Sequence, residues 1–187
     1  YDVLVPGSGG KDSIFTSFLL KEKYNMNPLT CTWSPGEYTD IGWKNFRSWI
    51  NSGFDNILFT PNKKTHGLLS RIAFENLLHP FQPFVLGQNS FPLKVAIQNK
   101  IKLVIYGDGV EERATGKSAN KSLKKNLKLY SFHFKEKNDD IFLGGVELKE
   151  LISKYKISKN DLLPFLPISE ELVLENKLEV LPITKFI

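Results

Sequence analysis

The sequence predicts an α/β fold, an open parallel sheet with helices on both faces. Three observations predict it. Short apolar runs of strand length alternate with longer stretches whose apolar residues recur at helical spacing. A glycine-bearing turn joins the first of those runs directly to the first helical stretch. The two loops that best combine glycine with polar or acidic residues, 7–12 and 107–109, both follow predicted strands. Parallel sheets hold their ligands at the carboxyl ends of the strands, near a topological switch point.

The elements follow in order. Residues 2–7 (DVLVPG) read as a buried strand, 8–12 as a turn, and 13–24 as a helix carrying Ile14, Phe15, Phe18 and Leu19. Residues 28–34 (PLTCTWS) form a second strand and 39–51 a second helix, bearing Ile41, Trp43, Phe46, Trp49 and Ile50. A third strand, 56–61, leads to a third helix, 65–78, with Leu68, Leu69, Ile72, Ala73 and Leu77 on one side. The segment 79–88 (HPFQPFVLGQ) is too rich in proline for a helix interior and reads as a loop, followed by a helix over 91–100. A fourth strand spans 103–106. Beyond it the pattern decays. Residues 112–126 are polar and lysine-rich, 129–134 read as a strand or packing segment, and 146–155 as a helix. The tail from 156 alternates apolar runs with prolines. Residues 1–110 thus form the expected core, and 111–187 a less regular part that continues or covers the same domain. With no initiator Met, the chain is expected to be a piece of a longer protein.

Composition narrows the function classes. The chain has 187 residues, 41% hydrophobic and 24% charged, enough for one domain with a core. No apolar stretch reaches the roughly 18 residues of a membrane span, and no signal peptide is evident, so the expected compartment is the cytoplasm and no membrane partner is expected. A net charge of +5 suits an anionic ligand. The single cysteine, Cys31, excludes disulfide frameworks and two-cysteine zinc or sulfur-relay chemistry within this sequence. Within an apolar strand it reads as a buried, inert thiol.

The chemistry concentrates in Ser8-Gly9-Gly10-Lys11-Asp12-Ser13. Two adjacent glycines let backbone amides converge on one anion, and a helix beginning near Ser13 adds its positive end. Ser8 and Ser13 offer hydroxyl donors, and Lys11 offers a mobile cation. Asp12 can hold Mg²⁺, which needs only one or two carboxylates beside phosphate and water. This is not a Walker A loop, and Gly116-Lys117-Ser118 lacks that motif's leading glycine, since Glu111 stands there.

VPGSGGKDS after a strand resembles the SGGxDS signature of the PP-loop ATP pyrophosphatases. That resemblance implies the three-layer, Rossmann-like fold of the adenine nucleotide alpha hydrolases, and cleavage of ATP to AMP and pyrophosphate with Mg²⁺. A longer resemblance rests on the same loop with Lys21-Glu22-Lys23-Tyr24 and Asn27-Pro28-Leu29, on HPFQPFVLGQ at 79–88, and on Gly144-Gly145-Val146. Together these are similar to the N-acetyl sugar amidotransferases of bacterial surface-glycan and lipopolysaccharide biosynthesis. Phe81 and Phe84 stand where many members carry cysteines, as in the pseudaminic acid branch. Those enzymes convert an acetamido group to an acetamidino group, through attack of the amide oxygen on the α-phosphorus and displacement of AMP by ammonia.

On this resemblance Ser8, Gly9, Gly10, Lys11 and Ser13 hold the phosphates and Asp12 supports the metal. Thr32 and Trp33 receive the adenine, Gly107 completes the nucleotide site, and Lys11, Asp12 and Asp108 serve catalysis. His79, Gln82, Gln88 and Glu111 are the candidates for the sugar. Ammonia comes from solution or from a separate glutaminase subunit, and a homo-oligomer is compatible with the sequence. Nucleic acid is not the expected partner. A tRNA-modifying PP-loop ligase and a non-catalytic adenine-nucleotide-binding protein are the alternative readings. Glu37 and Asp40, after the second strand, read as helix-capping neighbours of Thr39, with a place at the mouth of the site as the alternative. His66 and His133 receive no role.

Overall fold

The computed structural model describes residues 1–107 and 141–183. In chain order the elements are β1 (Val3–Pro6), α1 (Lys11–Glu22), β2 (Pro28–Trp33), α2 (Asp40–Ile50), β3 (Asn56–Phe59), α3 (Lys63–Leu77), α4 (Gln82–Gln98) and β4 (Leu103–Tyr106). A hairpin of β5 (Phe142–Leu143) and β6 (Val146–Glu147) follows, then α5 (Leu148–Ser153), α6 (Lys159–Leu162) running into a 3₁₀ turn (Leu163–Phe165), α7 (Glu170–Glu175) and β7 (Glu179–Pro182). Five strands form one sheet in the order β3-β2-β1-β4-β7, with every neighbouring pair parallel. With helices packed on it, this is the α/β architecture that the alternation of elements predicts. Among the described residues no helix is long and apolar enough to cross a membrane.

Alternation along β1 splits the core. Leu4 belongs to the larger cluster, with Trp33, Leu86, Val104 and Phe165. Val3 and Val5 face a smaller one with Leu20 and Ile105. Successive strand residues point to opposite faces, so both faces of the sheet are covered.

Three expectations are corrected. The first concerns α1, whose buried residues are Ser13, Thr16, Ser17 and Leu20, while Phe15 and Phe18 are exposed. Small side chains let the helix lie close to the sheet. The buried hydroxyls are satisfied within the helix: Ser13, Thr16 and Ser17 donate to the carbonyls of Gly10, Asp12 and Ser13.

The second correction concerns 79–88. From Gln82 onward it is helical, part of the single helix α4 that reaches Gln98. Pro83 sits in the first turn, where a missing N–H costs nothing, and Pro92 is accommodated inside the helix. The third concerns the tail. It contributes β7, which pairs with β4 from Leu103↔Glu179 to Tyr106↔Pro182. The predicted segments within 112–134 lie outside the described residues.

Candidate functional site

The chain leaves β1 toward β2 on one side, and β4 lies on the other. The carboxyl ends of β1 and β4 therefore form the switch point of the sheet. The Gly7 N–H still donates to the Cys31 carbonyl at 2.9 Å, so the β1–β2 ladder runs to the edge of the loop. The loop then turns at Gly9, whose φ of +80° suits glycine, and its Cα faces the Asn45 carbonyl of α2 so closely that a Cβ would stand 2.7 Å from that oxygen.

Gly10 is different. Its backbone is extended, with φ −73° and ψ 167°, a conformation open to any residue. A Cβ there would meet only the Ser8 Oγ, at 3.8 Å. Neither backbone nor packing demands glycine, yet Gly10 lines a cavity. It is also the N-cap of α1, and no side chain caps that helix. Thr39 and Asn62 do cap α2 and α3, through Gly42, Lys64 and Thr65 amides. The first-turn N–H groups of α1, which have no intrahelical acceptor, are thus left for another partner beside the cavity.

The cavity measures about 610 Å³, within the range of small-molecule sites. Its floor is the ends of β1, β2 and β4, including Cys31, Trp33 and Tyr106. One wall is the first loop with the start of α2, through Tyr38, Thr39, Gly42 and Asn45. The opposite wall is α4, through Phe84, Val85, Gln88, Asn89 and Pro92.

Of the residues singled out by sequence, Ser8, Gly10, Asp12, Ser13, Trp33, Gln88 and Gly107 line this one cavity. The Lys11 side chain is 90% exposed, with its Nζ 3.4 Å from an Asp12 oxygen. Thr32 is fully buried in the sheet, and its Oγ1 accepts from Asn56 at 3.3 Å, away from the cavity lining. Gln82 is buried and its Oε1 accepts from the Gly144 N–H at 2.9 Å, so it ties α4 to the β5–β6 hairpin. His79 is exposed in the α3–α4 turn and does not line the cavity. Asp108 and Glu111 lie outside the described residues. Glu37 lines the cavity mouth while pairing with Lys63 at 2.8 Å.

Trp33 is held rigidly. Its ring stacks on Phe59 at 5.0 Å and meets Phe165 edge-on at 5.5 Å. Gly87 lets α4 approach it, since a Cβ there would fall 2.1 Å from the indole. The buried Trp33 Nε1 and Tyr38 hydroxyl have no hydrogen-bond partner among the described residues. Burial pushes the Cys31 thiol pKa far up, which leaves it protonated and inert. Among the described residues there is no group of three or more metal-ligating side chains. Asp12 is the one carboxylate of the loop 7–12, and Glu37 is the other on the cavity lining.

The sequence gives no signal for Tyr38, Asn45, Asn89 and Pro92, and it singles out Phe84 and Val85 only as part of the run 79–88, with no role at the site. Each is brought to the cavity by packing between elements far apart in the chain.

No protein-family description matches the chain, and no curated protein matches it. Among solved structures it is similar to the crystal structure of a predicted subunit of tRNA methyltransferase from Methanocaldococcus jannaschii. The identity is 16%, over 97% of this chain and 68% of that one, with a TM-score of 0.46, too distant a likeness to bear on function.

Proposed function

We propose that this chain is an ATP-using enzyme of the PP-loop type, which grips the pyrophosphate end of the nucleotide and leaves the α-phosphorus open to attack. The observation that carries this reading is Gly10: a glycine required by neither backbone nor packing, at the uncapped start of α1, on the wall of a cavity at the switch point. A phosphate group fits there, because amides without acceptors meet it and no side chain intrudes. Ser8 and the exposed Lys11 add a hydroxyl donor and a positive charge beside the loop. Asp12, on the cavity lining, would hold Mg²⁺, which when bound offsets charge on the phosphate oxygens. The rigid Trp33, with Phe84 and Val85, gives the rest of the cavity the apolar lining that a purine ring needs.

The finer reading is an amidotransferase that converts an N-acetyl group of a surface-glycan sugar to an acetamidino group with ammonia. What supports it is that HPFQPFVLGQ, the run most telling for that resemblance, contributes Phe84, Val85 and Gln88 to the cavity wall. On this reading the protein's own contribution is positioning and charge stabilisation, with no protein nucleophile.

The test is incubation with Mg·ATP and ammonia, with and without N-acetylated nonulosonic acids and nucleotide sugars, followed by mass analysis. A sugar product in which one oxygen has been exchanged for NH, formed with AMP, is the expected result. AMP release with tRNA and with none of the sugars would transfer the reading to a tRNA-modifying ligase.

A further inference from the structure

Asparagine is a poor helix former, and on a helix its carboxamide can turn back to bond the preceding turn. Three asparagines of this chain do so. The Nδ2 groups of Asn76, Asn99 and Asn176 donate to the carbonyls of Ile72, Val95 and Leu172, each four residues earlier, at 3.0, 2.9 and 2.8 Å. Asn45, in the middle of α2, and Asn89, in the middle of α4, make no such bond. Both line the cavity, from opposite walls.

Asn45 stands against the loop 7–12. Its backbone carbonyl is the atom that a Cβ on Gly9 would meet at 2.7 Å, and the Cα of Phe46 follows at 3.1 Å. Tyr38, Gly42 and Asn45 recur at helical spacing, so they share one face, and all three line the cavity. The residue is exposed, and its carboxamide has no hydrogen-bond partner among the described residues. The backbone of Asn45 thus seats α2 on Gly9, while its side chain takes no part in that contact. On the other side of the loop, Ser13 already donates its hydroxyl to the Gly10 carbonyl at 3.0 Å. The Asn45 amide N–H groups are uncommitted, beside uncommitted amides at the start of α1.

We propose that Asn45 is a binding residue for the pyrophosphate moiety. Its Nδ2 donates to a phosphate oxygen from the α2 side, while the amides of the loop 7–12 meet the same group from the α1 side. This rests on the reading of the cavity as an ATP site. A carboxamide gives a charge-assisted bond to such an oxygen without adding a cation that would hold the departing pyrophosphate back.

The test is Asn45→Ala and Asn45→Asp in the full chain, each titrated by direct binding with pyrophosphate and with Mg·ATP, beside a denaturation curve. Asn45→Ala is expected to lose about tenfold or more in affinity for both ligands, as one hydrogen bond to a charged group allows. Its stability is expected to hold or rise, because alanine is the better helix former. Asn45→Asp is expected to lose more than Asn45→Ala, since it keeps the shape and puts a like charge beside the phosphates. A side chain that serves only the fold gives the reverse order, with the isosteric Asp milder than Ala. That order overturns the proposal and leaves the ATP site standing, as does unchanged affinity in Asn45→Ala or a loss of affinity that comes with a loss of stability. Failure of the wild-type chain to bind either ligand overturns the ATP site and this inference with it.

Discussion

Gly107, the residue after β4, rests on the first turn of α1: a Cβ at Gly107 would stand 2.7 Å from both the carbonyl carbon and the carbonyl oxygen of Asp12. The contact ties the two strand ends of the switch point together and sets the height of the loop 7–12 relative to β4. Gly107→Ala must push the loop or the strand aside. The expected outcome is a loss of about 1–3 kcal/mol of stability in chemical denaturation and a drop in ATP affinity of at least about tenfold. An alanine variant that keeps both shows that the spacing between Asp12 and β4 does not matter to the site.

Gly9 and Gly10 are adjacent but answer to different forces, and alanine separates them. Gly9→Ala places a side chain at φ +80° and against the Asn45 carbonyl, so it destabilises the fold. Gly10→Ala fits the native backbone and open space, and it is expected to shift stability by no more than about 1 kcal/mol, because the gain from a less flexible unfolded chain is offset by the loss of a residue favoured at a helix N-cap. Yet it fills part of the cavity, so ATP and pyrophosphate affinity fall. Denaturation and nucleotide titration on the two variants check this. A Gly10→Ala chain that binds both ligands normally removes the observation on which the functional reading stands.

Asp12 lines the cavity with its side chain 44% exposed. Asp12→Asn is expected to lower turnover by on the order of a hundredfold while shifting stability by no more than about 1 kcal/mol. Steady-state rates across a Mg²⁺ titration, beside a denaturation curve, check it. The variant's rate should no longer respond to Mg²⁺ as the wild type's does.

Much of this architecture is legible in the sequence, for local reasons. The strands β1 to β4 are apolar runs bounded by glycine, proline or asparagine, and the predicted bounds of 103–106 match β4 residue for residue. The loop 7–12 is legible because its residues are contiguous. What local pattern does not contain is the partner of each element. The Ile14–Phe15–Phe18 stripe looks like a buried face, yet α1 buries Ser13, Thr16 and Ser17, because close approach to the sheet favours small residues there. The prolines of 79–88 argue against helix, yet one falls in a first turn and the helix beyond is held by contacts with β2, through Phe91 on Trp33, and with the 3₁₀ turn. β7 is apolar but short, and only pairing with β4 makes it a strand. Gln82 and Thr32 carry polar groups suited to a ligand, but Gly144 and Asn56 take them instead.

Lys94 gives a pH signature. Burial pulls its pKa from the usual 10.5 down to about 8, while the carbonyls of Leu163 and Pro164 hold the charged form in place. Between those two values the unfolded chain binds more protons than the folded one, so stability rises with pH across that window. The side chain is only partly buried, and solvent screening reduces the gain to about 1–2 kcal/mol. The wild-type advantage over Lys94→Met should therefore grow between pH 8 and 10.5. Denaturation curves at several pH values check it, and parallel pH profiles for the two chains contradict it.

The central claim concerns which bond of ATP is cut, and simultaneous measurement of AMP, ADP, pyrophosphate and phosphate tests it most directly. The full chain is incubated with Mg·ATP, ammonia and the sugar panel, with Asp12→Ala as control. The account predicts AMP and pyrophosphate in equal amounts, formed only with an acceptor and abolished in the variant. ADP and phosphate in their place would contradict it, because a loop that grips the pyrophosphate leaves the α-phosphorus, and not the γ, open to attack.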